Sequence, residues 1–135
     1  NMIKKVFKDE EKVKSILNLV KEREKFTELD IKFTTIVVEN HYEIIKELSI
    51  ALLLLDGLKA TGDDAHKGMI DLLIKYGLSQ QEVIILQDLR KRRNKSMYEG
   101  KQIENTYLQN KEKNFRGITK KLKEIIHKRL EPKHI

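Results

Sequence analysis

Cysteine is absent from this chain of 135 residues. That excludes disulfides, thiolate zinc sites and a cysteine nucleophile, and it removes any sign of an oxidising compartment. Proline occurs once and glycine six times, and no low-complexity tract is present. So few turn formers fit neither a disordered chain nor an all-β sandwich. Long hydrophobic runs are missing too: the longest, Ile50 to Leu55, has six residues, against the roughly 20 of a bilayer-spanning helix. The opening NMIKKVFKDEEK has no secretory hydrophobic region, and Asn1, ahead of Met2, reads as the remnant of a cleaved tag. The expectation is a cytoplasmic protein with one domain over residues 2–135.

What the chain does contain is charge and helical periodicity. Hydrophobic residues make up 39% of it, enough for a core, and charged residues 36%. The net charge of +7 is segmental: residues 1–89 hold 13 Lys+Arg against 16 Asp+Glu, whereas residues 90–135 hold 15 against 5. A basic segment of this kind suits a polyanionic partner, because neutralising phosphates releases condensed counterions. A solvated lysine-rich helix face would give the same count.

Val13, Ile16, Leu17 and Val20 have the i, i+3, i+4, i+7 spacing of an amphipathic helix, with Asp9 as its N-cap. The β-branched IKFTTIVV, Ile31 to Val38, is locally strand-like. It nevertheless runs without a turn residue into a stretch where Ile45, Leu48, Leu52 and Leu55 recur at bundle spacing. One long helix to about Ala60 follows, apolar on nearly every side and therefore central. Gly62 breaks the pattern, Asp63 or Asp64 can cap a third helix from Ala65 to Tyr76, and Gly77 ends it. Ser79 to Glu82 form an S-x-x-E capping box, with Leu78 placed to staple onto Val83, so a fourth helix starts near Gln80. After the polar GKQIENT loop, Phe115, Ile118, Leu122, Ile125 and Ile126 mark a last helix to about Leu130, before Pro132. The fold class expected is all-α, an antiparallel bundle of about five helices.

The fourth helix carries LRKRRNKSMYEG, where five of the six residues from Arg90 to Lys95 are basic. At 100° per residue the cluster divides in two. Lys91, Arg92 and Lys95 point outward, and Asp88 can pair with Arg92 at i+4. Arg93 falls within the apolar arc of Val83, Leu86, Leu89 and Met97, with Asn94 and Tyr98 along its edge. A guanidinium there needs a carboxylate, a cleft or a partner subunit, because an unpaired buried charge is costly. One solution is a bridge to an acid of the second helix, such as Glu47 or Asp56. The other is a groove where Arg90, Arg93, Asn94 and Tyr98 meet a phosphate and a base or ribose.

R-N-K-S-M-Y, Arg93 to Tyr98, resembles the R-x4-H motif of HEPN domains, in which Asn commonly follows the Arg and a His lies five positions after it. The order of ALLLLDGLKATG, DDAHKGMIDLL, the motif helix and a last amphipathic helix is also similar, from about Asn40 onward. The resemblance implies a homodimer with the two motif helices facing each other. It also implies one of two activities. Many members are metal-independent RNA endonucleases of toxin–antitoxin and defence systems; others are non-catalytic partners of minimal nucleotidyltransferases, or nucleotide binders. Tyr98 stands where the His would be, and a phenol with a reference pKa near 10 is a poor base at neutral pH. The expectation is therefore a nucleotide- or RNA-binding module with a nucleotidyltransferase partner, acting through Arg90, Arg93, Asn94 and Tyr98. The alternative is an endoribonuclease that uses Arg93 with another base, His66 or His41. No cofactor is expected. The four histidines, 41, 66, 127 and 134, lack ligand spacing for a metal. His66 reads as a capping or surface residue and His41 as an interhelical one.

Overall fold

The computed structural model describes residues 2–131. Its elements run β1 (Met2–Lys5), α1 (Glu10–Glu24), α2 (Thr34–Leu55), β2 (Leu58–Thr61), α3 (Ala65–Leu72), α4 (Gln80–Glu99) and α5 (Asn105–Leu130), with 3₁₀ turns at Lys25–Glu28, Ile31–Phe33 and Leu73–Tyr76. This is the all-α bundle of five helices expected from the spacing, with one small ribbon added. Helix α2 is central, packing against α1, α3, α4 and α5. Its Leu48, Ala51 and Leu52 have no exposed surface, as an all-round apolar helix requires.

Local chemistry sets most boundaries. The Asp9 side chain accepts from the Lys12 N–H at 3.0 Å and starts α1. Both halves of the Ser79 capping box form: the Glu82 N–H donates to Ser79 Oγ at 3.1 Å, and the Ser79 N–H donates to Glu82 Oε1 at 2.8 Å. Gly77 takes φ +113° after the 3₁₀ turn that extends α3. Leu78 and Val83 are both buried in the core. The strand-like IKFTTIVV forms no strand; it is a 3₁₀ turn followed by the first turns of α2.

Two boundaries and one burial assignment differ from expectation. Helix α2 stops at Leu55 rather than near Ala60, because Leu58–Thr61 pairs antiparallel with Met2–Lys5, Met2 opposite Thr61 and Lys5 opposite Leu58. Gly57 makes this possible. Its φ is +64°, and a Cβ there would lie 2.7 Å from the Val6 carbonyl oxygen. The last helix starts at Asn105, within the tract assigned to a loop, and buries Tyr107 and Leu108 ahead of Phe115. Met97, assigned to the buried arc, is 48% exposed. The final turn of α4 runs past the packed bundle, so Met97, Tyr98 and Glu99 all face solvent. Pro132 and His134 lie outside the described residues.

Candidate functional site

Arg93 is buried, as its place on the helix demands, but its carboxylate is neither Glu47 nor Asp56. Glu47 accepts from Arg23 at 3.0 Å, and Asp56 accepts from Arg129 and from the Tyr76 hydroxyl, each at 2.6 Å. The acid facing Arg93 is Glu43, one turn before Glu47 on α2. Its Oε2 lies 3.7 Å from Arg93 Nη2, beyond a well-formed charge-assisted hydrogen bond. Glu43 is also held by Lys46 at 2.6 Å. Arg93 Nη1 donates to Asn94 Oδ1 at 3.2 Å, and its Nε has no acceptor among the described residues. The guanidinium lies 5.0 Å from the Tyr42 ring centre. Burial pushes the Tyr42 phenol up to about 12, against the pull of Arg93 and Arg90, and its hydroxyl has no hydrogen-bond partner. The floor of the site is thus a neutral tyrosine beneath a guanidinium short of acceptors.

Above that floor is a cleft of about 240 Å³ between the second half of α4 and the start of α3. Arg90, Arg93, Asn94 and Tyr98 all line it, so the structure brings together the four residues singled out from the sequence. Tyr98 is 74% exposed, its ring centre 5.9 Å from the Arg93 guanidinium. Arg90 Nε donates to Gln87 Oε1 at 2.9 Å. The opposite wall carries Lys67 and His66, with Asp63 and Asp64 at one rim. Three cations therefore line the cleft against two carboxylates.

His66 is the residue whose place the sequence did not reveal. It is half-buried, its ring 6.4 Å from that of Tyr42. Burial, then Lys46 and Arg93, hold its pKa below the ordinary 6.5, with Glu43 opposing them. A neutral imidazole and a guanidinium thus share one cleft. His41, the other candidate, does not reach it. It is 2% exposed, its Nε2 is 3.2 Å from Glu112 Oε2, and its ring packs 5.4 Å from Phe115. Burial outweighs Glu112 and lowers its pKa. It is an interhelical histidine, as expected.

The outward half of the basic cluster is ordinary surface charge. Arg92 Nε donates to Asp88 Oδ2 at 2.9 Å, and its guanidinium covers the Tyr107 ring at 4.1 Å. Among the described residues no group of three or more His, Asp or Glu side chains could hold a metal ion. No helix among them is long and apolar enough to cross a membrane. The chain matches no family model, and no curated protein or solved structure is similar enough to count as a match.

Proposed function

We propose that the Arg93 cleft binds the phosphate of a nucleotide or an RNA strand, and that the protein is a non-catalytic HEPN-type module working with a minimal nucleotidyltransferase partner. The observation that carries this reading is the buried Arg93, which lines the cleft and whose nearest carboxylate oxygen is 3.7 Å away. A phosphate offers two oxygens spaced to accept parallel hydrogen bonds from the planar guanidinium fork. Arg90 and Lys67 add charge beside it, and Asn94 and the exposed Tyr98 ring offer an amide and a stacking face for a ribose or base. Asp63 and Asp64 oppose an anion at the α3 rim, which favours the α4 side. The excess of basic residues from position 90 onward supplies a longer-range attraction. The partner class and a homodimer through α4 rest on the motif resemblance; the exposed Met97 is apolar surface that a second copy would cover.

Filter binding of labelled RNA over a salt series tests the reading. Affinity is expected to fall with salt and to drop at least about 30-fold in Arg93→Ala, the equivalent of about 2 kcal/mol. Equal binding by both proteins would sink it. Sedimentation velocity at micromolar concentration tests the dimer, and a monomer there refutes it.

One observation favours a second reading, a metal-independent endoribonuclease. His66 lines the same cleft as Arg93 and is held neutral by burial, the state in which an imidazole can accept a proton from a ribose 2′-hydroxyl. On this reading the intact protein cleaves RNA in the presence of EDTA, and both Arg93→Ala and His66→Ala abolish cleavage. No cleavage by the intact protein leaves the binding module.

A further inference from the structure

A second cavity, of about 400 Å³, lies between β2, the second half of α2 and the start of α3. Its wall is apolar, built by Ile50, Leu53, Leu54, Leu58, Ala60 and Met69. This size and lining are those of small-molecule sites, which add a few placed polar groups to an apolar chamber. Here the polar groups are Asp9, Lys12, Lys59 and the His66 imidazole. The Asp9 carboxylate is engaged by the Lys12 N–H at the start of α1, whereas neither lysine side chain makes an ion pair among the described residues.

Phe7 is the anomaly. It also lines the cavity, yet it is 95% exposed, the most exposed large hydrophobic residue described. Its backbone is pinned on both sides: the Val6 N–H donates to the Gly57 carbonyl at 2.7 Å, and Asp9 caps α1. The backbone at Phe7 is therefore held beside the apolar chamber while its ring stands in solvent, and both gain if one ligand covers them.

We propose that this cavity binds an amphipathic monocarboxylate, with its apolar body in the chamber and against Phe7 and its head group between Lys12 and Lys59. The charge selects the head. Two ammonium groups and one carboxylate leave a single net positive charge at the rim, which matches a monoanion and not a dianionic phosphate. The site stands apart from the Arg93 cleft in its chemistry, although Ala65 and His66 contribute to the walls of both. The His66 imidazole is therefore a built-in reporter of occupancy.

Titration with decanoate, followed by heteronuclear NMR, tests the proposal. One saturable equivalent is expected, shifting the His66 ring resonances, with little or no binding of decyltrimethylammonium. Lys12→Ala/Lys59→Ala should weaken decanoate about ten-fold through lost charge-assisted hydrogen bonds. Phe7→Ala should weaken it about five-fold through the lost ring contact. All three positions are exposed, so the variants keep the fold, which circular dichroism verifies. The proposal is overturned if millimolar decanoate leaves the spectrum unchanged, if the lysine variant binds undiminished, or if the cationic amphiphile binds equally well. A Phe7-dependent dimer in sedimentation would assign the surface to a second copy and overturn it as well.

Discussion

Replacing Arg93 with alanine separates a ligand-binding arginine from a structural one, because the two roles lose different quantities. Removing one partner of a fully buried ion pair costs about 3–5 kcal/mol, since the other charge is left uncompensated. That figure does not apply here. Glu43 keeps Lys46 at 2.6 Å, and its side chain is 21% exposed. What the fold loses is a long ion pair worth up to about 1 kcal/mol and the contact with the Tyr42 ring, worth about 1 kcal/mol at a partly desolvated site. The expected loss of stability is about 2 kcal/mol or less. The ligand, in contrast, loses its central phosphate contact, and affinity should fall by about 2–5 kcal/mol. Urea denaturation followed by circular dichroism gives the first number, and filter binding of RNA to folded protein gives the second. The reasoning fails if Arg93→Ala unfolds the protein by more than about 3 kcal/mol, adding Glu43→Gln restores most of it, and the folded fraction binds RNA undiminished. Arg93 would then be a structural cation.

Tyr98→Phe keeps the exposed ring and should lose at most about 1.5 kcal/mol of RNA affinity, one hydrogen bond's worth, while Tyr98→Ala loses the stacking face too; equal losses in calorimetry would show that the ring does not touch the ligand. Tyr98→His restores the residue of the resembled motif beside Arg93 and His66, and is expected to add weak, EDTA-insensitive cleavage on an RNA gel; a wild type that cleaves equally well refutes the idea that tyrosine disables the site. Both His41 and His66 have pKa values lowered by burial from 6.5, so below that value the unfolded chain takes up protons the folded chain refuses. Stability present above pH 6.5 should therefore fall as pH drops through the lowered values, and urea midpoints between pH 7.5 and 5 should decline less in His41→Leu than in its parent when each is referred to its own pH 7.5 value; an identical slope counts against the burial of His41. Gly57→Ala forces an L side chain into φ +64° with its Cβ 2.7 Å from the Val6 carbonyl, and should cost more than about 1 kcal/mol, with loss of amide protection confined first to Met2–Lys5 and Leu58–Thr61; unchanged exchange there would mean the close approach relaxes freely.

The legible parts of this molecule are those whose cause lies within one or two turns of chain. The capping box at Ser79, the Asp9 cap, the apolar spacing of α1 and α2 and the inward turn of Arg93 are each fixed by residues three or four positions apart, and each forms as the spacing implies. The β1 and β2 ribbon is different in kind. Met2–Lys5 and Leu58–Thr61 carry neither strict alternation nor a hairpin turn between them, and the pairing depends on α1 and α2 returning the chain to its start. The helical pattern of α2 accordingly continues in the sequence across the start of β2, and the local sign of the turn is the Asp56–Gly57 pair. Loop tracts mislead for the same reason: Asn105 and Thr106 look like turn residues, but the Asn105 side chain meets Thr34 Oγ1 at 2.5 Å, a contact reaching back to the first turn of α2.

The cleft divides along the same line. Arg90, Arg93, Asn94 and Tyr98 share one helix, so their common edge could be drawn from the sequence, and they do share one cleft. His66 and Lys67 enter from α3, whose direction is set by the Gly62 turn after β2 and by the packing of α3 on α4. No periodicity carries that information. The carboxylate opposite Arg93 comes from α2, as expected, but which acid it is depends on tertiary packing in the same way. Glu43, Glu47 and Asp56 all lie on or at the end of α2, and the choice among them depends on how far α4 slides along α2. Arg23 claims Glu47 and Arg129 claims Asp56, which leaves Glu43, already held by Lys46, as the acid nearest to Arg93. The competition for acceptors along α2 is thus what leaves the Arg93 guanidinium short of them, and that shortage is the physical basis for expecting an anion in the cleft.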